Sequence, residues 1–190
     1  MADSEVYLVR HGQTEWNAAW RFQGRLDSPL TQQGRAEAAT CGRILAPMAG
    51  SFDAVAVSPL GRALETSEII LSMATFPRPQ VDARLCEVSL GSWDGLTHVD
   101  IDACWPGRMD GATSFDWYFR SPDGESYEAA YARARGWLRE ATGTVLAITH
   151  GLMSRILRGA YLGVSEADAL RFPVAQGTVW HLAEGTITTL

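Results

Sequence analysis

The sequence predicts an α/β fold with a mainly parallel central sheet. Three short apolar runs, at residues 5–9, 53–57 and 144–149, are typical of buried strands, and helical patterns follow each of them. Strands that alternate with helices are typical of parallel sheets covered by helices. The length of 190 residues suits one domain spanning residues 1–190, and no linker, repeat or low-complexity tract divides it.

The first two helices are predicted from the residues at their N-termini. The pattern at 31–45 indicates a helix with Thr31 as its N-cap. Two glycines inside that helix each weaken it by roughly 1 kcal/mol, so packing must hold it. A second helix is expected over 58–73, with Ser58 as N-cap and Pro59 in the first turn, where a missing N–H costs nothing.

The second half of the chain continues the alternation. The remaining elements are expected to be a short strand at 80–82, a helix at 124–140, a strand at 144–149 and a helix at 151–162. Gly163 follows the last helix at the C′ position, where glycine is common. The C-terminal VWHLAEGTITTL predicts a hairpin that turns at Glu184 and Gly185.

Between about residues 88 and 124 the alternation is lost. This segment contains glycine, proline and the aromatic residues Trp93, Trp105, Phe115, Trp117, Tyr118 and Phe119. Long irregular segments in a compact domain are usually functional or disordered, and the aromatic residues argue against disorder. We therefore expect short helices and loops that form a lid or substrate-specificity segment. Its aromatic side chains mostly pack the lid onto the core, or they contact an apolar or planar part of a substrate.

Composition and charge exclude several classes of protein. With 46% hydrophobic and 20% charged residues the chain is typical of globular proteins. Its net charge of −6 argues against non-specific binding to nucleic acid or to an anionic membrane. No apolar stretch reaches the ~18 residues of a membrane span and the N-terminus does not resemble a signal peptide, so we expect a cytoplasmic protein. Three widely spaced cysteines without a CxxC pair indicate free thiols and no metal site.

Charged side chains follow three of the predicted strands. Arg10 and His11 follow the first strand, Arg62 lies shortly after the second, and His150 and Gly151 follow the strand that ends at residue 149. Ligands of open α/β sheets bind beyond the carboxyl ends of the strands, so we expect these residues to converge. Two arginines, two histidines and a helix N-terminus form a cationic pocket that suits a phosphoryl group without a metal.

The residue types in this pocket indicate phosphoryl transfer. A neutral histidine is a nucleophile that can form a covalent intermediate, and neighbouring arginines favour its neutral form. The leaving alkoxide needs a proton, for which Glu87 is the candidate and Asp94 the alternative. Asn17 adds a neutral donor. Each residue alone is more often structural, as we expect for His98 and His181, and it is the joint placement at strand ends that favours catalysis.

Five segments, taken in order, resemble the histidine phosphatase superfamily, also called the phosphoglycerate mutase-like family. They are VRHGQTEWN, RFQGRLDSPLTQQGRAEA, SPLGRALET, LCEVSLGSWDG and ITHG, and together they cover nearly the whole chain. The tripeptide RHG alone is a weak signal, whereas the ordered set is strong. The resemblance implies a three-layer α/β/α sandwich with a mainly parallel central sheet, and chemistry without a metal or cofactor.

The resemblance also implies roles for eight residues. They are the nucleophile His11, the proton donor Glu87, the phosphate-pocket residues Arg10, Arg62 and His150, and the substrate contacts Asn17, Gln23 and Gly151. After the proton-donor glutamate, phosphoglycerate mutases carry an arginine-histidine-tyrosine run. Here Glu87 is followed by VSLGSWDG, which is similar to the phosphatase branch, and the lid offers only Arg108 and Arg120 as basic residues.

We therefore expect a phosphatase that hydrolyses a small phosphorylated substrate through a phosphohistidine. Mutase-type phosphoryl transfer and a non-catalytic phospho-ligand binding protein remain alternatives. The substrate also stays open between a nucleoside-like phosphate such as ribazole phosphate, a sugar phosphate, a phosphoglycerate and a phosphoprotein. The sequence does not fix the oligomeric state, and a homodimer is one option.

Overall fold

Six strands form the centre of the computed structural model, which describes residues 4–113 and 116–190. They are β1 (Glu5–Arg10), β2 (Ala54–Val57), β3 (Pro79–Val81), β4 (Thr144–Thr149), β5 (Val179–Ala183) and β6 (Thr186–Thr189). They lie in the order β3-β2-β4-β1-β5-β6. The first four are mutually parallel, while β5 runs antiparallel to β1 and β6 antiparallel to β5. The predicted mainly parallel sheet and C-terminal hairpin are confirmed.

Helices cover both faces of this sheet. Among the described residues the α-helices are α1 (Glu15–Ala18), α2 (Gln32–Leu45), α3 (Gly61–Leu71), α4 (His98–Cys104), α5 (Tyr127–Glu140), α6 (Gly151–Leu162) and α7 (Glu166–Ala169). Helices α2 and α3 pack together over one face, and α5 and α6 over the other. This arrangement confirms the three-layer α/β/α sandwich. None of these helices has the length and apolar character needed to cross a membrane.

Alternating side chains of the strands build the two halves of the core. Leu8 of β1 and Ala147 of β4 face the α5–α6 layer, whereas Val9 and Ile148 face the α2–α3 layer. Successive side chains of a strand point to opposite faces, so a strand covered on both sides is apolar along its whole length. The central position of β4 explains its continuous apolar run. Its carboxyl end lies inside the domain, beside that of β1.

The N-terminus of one helix differs from the prediction. Thr31 caps α2 as expected, because its Oγ1 accepts the N–H of Gly34 at 3.0 Å. The expectation that Ser58 caps the next helix, with Pro59 in its first turn, is wrong, since α3 begins at Gly61 with Leu60 at the N-cap. The hydroxyl of Ser58 instead lies 2.6 Å from Nε2 of His150. Ser58 at the end of β2 therefore contacts His150 at the end of β4 and does not cap a helix.

Two glycines allow the loop after β1 to contact the N-terminal turn of α2. A Cβ on Gly12 would lie 2.1 Å from the carbonyl oxygen of Gly34. A Cβ on Gly34 would lie 2.0 Å from the carbonyl oxygen of Gln13. Neither distance is compatible with a side chain, so glycine at both positions sets how closely the loop packs. This contact fixes the course of the chain directly after His11.

The segment 88–124 contains short helices around a small core of its own. Besides α4 it holds single turns of 3-10 helix at Gly91–Trp93 and Asp116–Phe119. Trp93 is fully buried and packs with the cluster that contains Ile101 and Trp117. Most of its described aromatic residues thus pack inward, as expected. Phe115 lies outside the described residues, and the action of this segment as a lid stays a prediction.

Candidate active site

The carboxyl ends of β1 and β4 open into a cavity of about 200 Å³, the inner cavity. Seven of the eight sequence-predicted residues line it, namely Arg10, His11, Asn17, Gln23, Arg62, Glu87 and Gly151. The eighth, His150, is fully buried beside it, with its ring centroid 5.2 Å from that of His11. The structure therefore brings the predicted residues together at one edge of the sheet.

The imidazole of His11 is fixed between an acceptor and a donor. Its Nδ1 lies 2.8 Å from the carbonyl oxygen of Gly12, and its Nε2 lies 3.2 Å from Nε of Arg62. A carbonyl only accepts and a guanidinium N–H only donates, so the proton sits on Nδ1 and the lone pair on Nε2. Burial, followed by the positive charges of Arg62 and Arg10, lowers the pKa of His11 well below its ordinary 6.5.

The side chain of Arg62 is immobilised by the loop that follows α1. It is 1% exposed. Its Nη2 donates to the carbonyl of Gly24 at 2.9 Å, and its Nη1 donates to the carbonyl of Leu26 at 2.7 Å and to Asp27 Oδ1 at 3.1 Å. A planar guanidinium held by several acceptors loses little further freedom when it binds a ligand. Arg62 is thus a preorganised cation next to Nε2 of His11.

Arg10 is held by a chain segment that precedes β5. Its Nη1 donates to the carbonyl of Val174 at 2.6 Å. Arg155 and Arg158 of α6 bind the two preceding carbonyls, those of Phe172 at 2.7 Å and Pro173 at 2.5 Å. The Nε of Arg10 is buried and has no hydrogen-bond partner in the described structure. This N–H is available to an oxygen of a bound anion.

His150 also presents an unpartnered ring nitrogen. The Oγ of Ser58 accepts a long hydrogen bond of 3.4 Å from the N–H of Leu60 and lies 2.6 Å from Nε2 of His150. The other ring nitrogen, Nδ1, is buried and lacks a partner in the described structure. Burial, and next the charge of Arg62, lowers the pKa of His150 well below 6.5. His150 is therefore a neutral ring whose Nδ1 is left for a ligand.

Glu87 lies at the N-terminus of α6. Its Oε1 accepts the N–H groups of Met153 at 2.9 Å and Val88 at 3.0 Å, and its Oε2 accepts the N–H of Leu152 at 3.1 Å. A carboxylate at this end of a helix meets unpaired N–H groups and a favourable dipole. These bonds place the carboxyl group on the wall of the inner cavity, together with Gly151.

Asp94, the alternative acid, has a different environment. Its two carboxylate oxygens accept the N–H groups of Leu90 at 2.8 Å and Arg25 at 3.2 Å. It is not among the residues that line the inner cavity. Asp94 joins the start of the lid segment to the loop that holds Arg62. This position favours Glu87 over Asp94 as the group that faces a ligand.

The amides of Asn17 and Gln23 both lie at the inner cavity. The Oδ1 of Asn17 accepts the N–H of Thr14 at 3.2 Å and the side-chain N–H of Gln176 at 3.2 Å. Because its oxygen is engaged twice, its Nδ2 group is left as a donor for a ligand. Gln23 is 6% exposed, and its Oε1 has no partner in the described structure.

Two residues of the site were not predicted from the sequence. Arg155 and Tyr118 line the inner cavity and are hydrogen-bonded to each other. Arg155 lies one helical turn after Gly151, and that spacing is the signal that could have found it. The two basic residues of the lid, Arg108 and Arg120, do not line the inner cavity. Nε of Arg108 donates to the carbonyl of Arg120 at 2.9 Å, and Arg120 binds further lid carbonyls and Asp116.

A wider cavity of about 660 Å³, the vestibule, adjoins the inner cavity. It shares Arg10, Asn17, Arg21, Phe22 and Tyr118 with the inner cavity and is also lined by Gln13, Ala18, Trp20, His98, Trp117 and Gln176. The ring of His98, which was expected to be structural, packs on Phe22 and Trp117 with centroids 4.7 Å and 4.9 Å away. The vestibule is therefore a partly aromatic space beside the inner cavity.

The charges of the site suit an anion. Arg10, Arg62 and Arg155 surround an inner cavity whose wall carries one carboxylate, Glu87. Within residues 4–113 and 116–190 no three His, Cys, Asp or Glu side chains are grouped so as to hold a metal ion. The cavity contains fixed N–H donors, one histidine lone pair bonded to Arg62, and one carboxyl group on its wall. Such a site can bind a phosphoryl group and present a nucleophile to it.

Comparison with known proteins places this site in a family. The glucosyl-3-phosphoglycerate phosphatase of Mycobacterium tuberculosis is 31% identical over 182 residues, which are 88% of this chain and 79% of that protein. The solved structure of the mycobacterial enzyme with VO3 superposes with a TM-score of 0.77, at 29% identity and with 98% and 96% of the two chains covered. The structure of Bacillus stearothermophilus YhfR gives a TM-score of 0.82, at 32% identity and with 97% and 94% covered.

Mutases are also among the relatives. The 2,3-bisphosphoglycerate-dependent phosphoglycerate mutase of Bartonella bacilliformis is 32% identical over 183 residues, which cover 90% of this chain and 88% of that protein. The family profile of the histidine phosphatase superfamily (branch 1) matches residues 6–185, which include every predicted site residue. From this match and the shared fold, we conclude that the chain belongs to the histidine phosphatase superfamily.

Proposed function

We propose that the chain is a metal-independent phosphatase that hydrolyses a small-molecule phosphomonoester through a phosphohistidine on His11. The observation that carries the proposal is the fixed tautomer of this histidine, with its Nε2 lone pair in a cationic, buried cavity. Glu87 is the proton donor in this proposal. Arg10, Arg62, His150 and Asn17 bind the phosphoryl oxygens, and Gln23 and Gly151 make further contacts.

In the first step Nε2 of His11 attacks phosphorus and the bond to the leaving oxygen breaks. That oxygen takes a proton from the carboxyl group of Glu87 and leaves as an alcohol. The Nδ1–H of His11 keeps its hydrogen bond to the carbonyl of Gly12, so the positive charge of the phosphorylated ring is partly offset. Fixed donors around the three equatorial oxygens stabilise the transition state more than the ground state.

In the second step water enters and the intermediate is hydrolysed. The Glu87 carboxylate takes a proton from the water, whose oxygen bonds to phosphorus as the bond to Nε2 breaks. Phosphate is released and His11 returns to its neutral form. We propose that this water arrives through the vestibule, which has five lining residues in common with the inner cavity.

Hydrolysis is favoured over mutase-type transfer by the surroundings of the inner cavity. The basic residues of the lid, Arg108 and Arg120, donate to lid carbonyls and line neither the inner cavity nor the vestibule. A small phosphorylated metabolite as substrate is supported by the resemblance to glucosyl-3-phosphoglycerate phosphatase. The identity with the Bartonella mutase is a reason to test mutase activity beside hydrolysis.

The decisive experiment is phosphate release in EDTA from a panel of sugar phosphates, phosphoglycerates, nucleotides, ribazole phosphate and a phosphopeptide. We expect turnover by the wild type and by His181→Ala, a histidine on β5 outside both cavities. We expect none by His11→Ala, and an acid-labile phosphoryl group on the quenched wild type and His181→Ala but not on His11→Ala. Full activity of His11→Ala would refute the proposal.

Two further outcomes identify the alternatives. Exchange of phosphate between phosphoglycerates, stimulated by bisphosphoglycerate and faster than release, would establish a mutase. Tight binding of phosphomonoesters without turnover or labelling would establish a phospho-ligand binding protein.

A further inference from the structure

The chain leaves α1 through a left-handed residue that is not glycine. The N–H of Trp20 donates to the carbonyl of Asn17 at 3.2 Å, and the N–H of Arg21 donates to the carbonyl of Trp16 at 2.9 Å. These two bonds form a Schellman motif with Trp20 at C′, where φ is +56°. Glycine is the usual residue there, because a side chain is strained in left-handed backbone. A bulky tryptophan at this position calls for a compensating function.

Trp20 lies on the rim of the vestibule. It is 84% exposed although it is the largest type of apolar side chain. The loop that carries it is tied to the lid segment, since the N–H of Phe22 donates to Leu96 at 2.8 Å and the N–H of Gly95 donates to Phe22 at 2.7 Å. The indole is therefore held at the entrance by a fixed backbone, with no core contact to explain it.

The vestibule has an aromatic wall and an amide wall. Phe22, His98 and Trp117, whose rings contact one another, line the vestibule together with Trp20. The amide wall contains Gln13, whose Oε1 accepts from Thr31 at 2.9 Å and whose Nε2 remains a donor. It also contains Gln176, whose Nε2 donates to His11 and Asn17 and whose Oε1 remains an acceptor.

We propose that Trp20 is a specificity-determining residue that stacks on a ring in the leaving group of the substrate. The inference rests on the proposed function, since it places the phosphoryl group in the inner cavity and the leaving group in the vestibule. A ring with an apolar face fits against the indole, and hydroxyl groups at its edge fit the amides of Gln13 and Gln176. A sugar ring and an aryl ring both have a face that can stack on the indole. Only the sugar ring also carries hydroxyl groups for the amides of Gln13 and Gln176.

The test compares wild type with Trp20→Gly, using a hexose phosphate, p-nitrophenyl phosphate and glycerol phosphate as substrates. For Trp20→Gly we expect kcat/KM to fall about tenfold with the two ring-bearing substrates, because one aromatic contact is lost. With glycerol phosphate, which has no ring, we expect kcat/KM to stay unchanged. The melting temperature is expected to rise by a few degrees, because glycine removes the backbone strain. Trp20→Phe keeps an aromatic ring and should retain most of the preference.

The outcomes separate this inference from the proposed function. A larger loss for the hexose phosphate identifies a sugar ring, and a larger loss for p-nitrophenyl phosphate identifies an aryl ring. An equal change for all three substrates, or none, overturns the role of Trp20. If the wild type hydrolyses nothing, the proposed function fails. Quenching of intrinsic fluorescence by the same three compounds, compared between wild type and Trp20→Gly, then still tests the stacking.

Discussion

The Nε–H of Arg62 donates to Nε2 of His11 over 3.2 Å, so the lone pair proposed to attack phosphorus accepts a hydrogen bond. Carbonyls of Gly24 and Leu26 hold the rest of this guanidinium in place. An arriving phosphoryl oxygen that takes over the Nε–H therefore frees the lone pair at the moment of binding. In the proposed mechanism, substrate binding and activation of the nucleophile are therefore coupled through one N–H group.

Replacing Arg62 by lysine tests this coupling. Lysine keeps the positive charge, but its ammonium lacks the planar fork of a guanidinium. It therefore cannot bind the carbonyls of Gly24 and Leu26 together with Asp27 and His11. We expect kcat/KM in the phosphatase assay to fall about 100-fold, as for the loss of one transition-state donor. The matched control is Arg35→Lys, which alters a largely exposed ion pair with Glu65 on the α2–α3 surface. Equal activity of the two variants would contradict the role of the Arg62 fork.

The second prediction concerns the proton donor. Glu87→Gln removes the acid, so hydrolysis of alkyl phosphates should fall about 100-fold or more. p-Nitrophenyl phosphate should be affected much less, because its leaving group departs as an anion without a proton. The measurement is the ratio of kcat/KM for glycerol phosphate and p-nitrophenyl phosphate in each variant. If Glu87 had only a structural role, Glu87→Gln would lower kcat/KM for both substrates by the same factor.

Asp94→Asn is the matched control for the same measurement. Its carboxylate accepts the backbone N–H groups of Leu90 and Arg25, so the substitution weakens the loop that holds Arg62. We expect a lower melting temperature and an unchanged ratio between the two substrates. If Asp94→Asn changed the ratio and Glu87→Gln did not, Asp94 would be the acid.

Most of the fold could be predicted from the sequence because its signals are local. The apolar run of β4 reflects burial on both faces of the sheet, and Thr31 caps α2 through a contact three residues away. The convergence of His11 with Arg62 follows from the rule that parallel strands present their carboxyl ends at one edge. Patterns of this kind need no knowledge of distant packing.

Other parts of the site depend on contacts between distant segments. Arg155 faces the inner cavity because α6 is oriented by the segment that ends at Val174, which the sequence of α6 alone does not reveal. Ser58 contacts His150, 92 positions away, instead of capping a helix. Trp20 occupies a position whose backbone geometry predicts glycine. Each departure from a local rule coincides with the cavity and its entrance.

The third prediction is that acid destabilises the fold through two buried histidines. The pKa values of His11 and His150 are lowered well below 6.5 by burial and by Arg62. The unfolded chain therefore binds protons below about pH 6.5 that the folded chain does not bind, and stability falls as the pH decreases from that value. Each histidine contributes up to about 1.4 kcal/mol per pH unit to the slope of the unfolding free energy.

Urea unfolding of wild type, His11→Gln and His150→Gln at several pH values measures these slopes. Each variant should lose part of the dependence below about pH 6.5, while above it the curves should run parallel. The activity of the wild type should persist below the ordinary pKa of histidine, because the nucleophile stays neutral there. An unfolding free energy that is independent of pH in this range would contradict buried neutral rings.

The last prediction concerns the approach of the loop after β1 to α2. In most helices glycine to alanine stabilises by about 1 kcal/mol, yet a Cβ on Gly34 would lie 2.0 Å from the carbonyl of Gln13. We expect Gly34→Ala to destabilise the protein by about 2 kcal/mol and to lower kcat/KM, because the backbone after His11 must move. Gly136→Ala in α5, whose Cβ would meet nothing within 4 Å, should stabilise by about 1 kcal/mol and leave activity unchanged. Chemical unfolding measures both changes, and stabilisation by Gly34→Ala would show that this contact does not constrain the nucleophile loop.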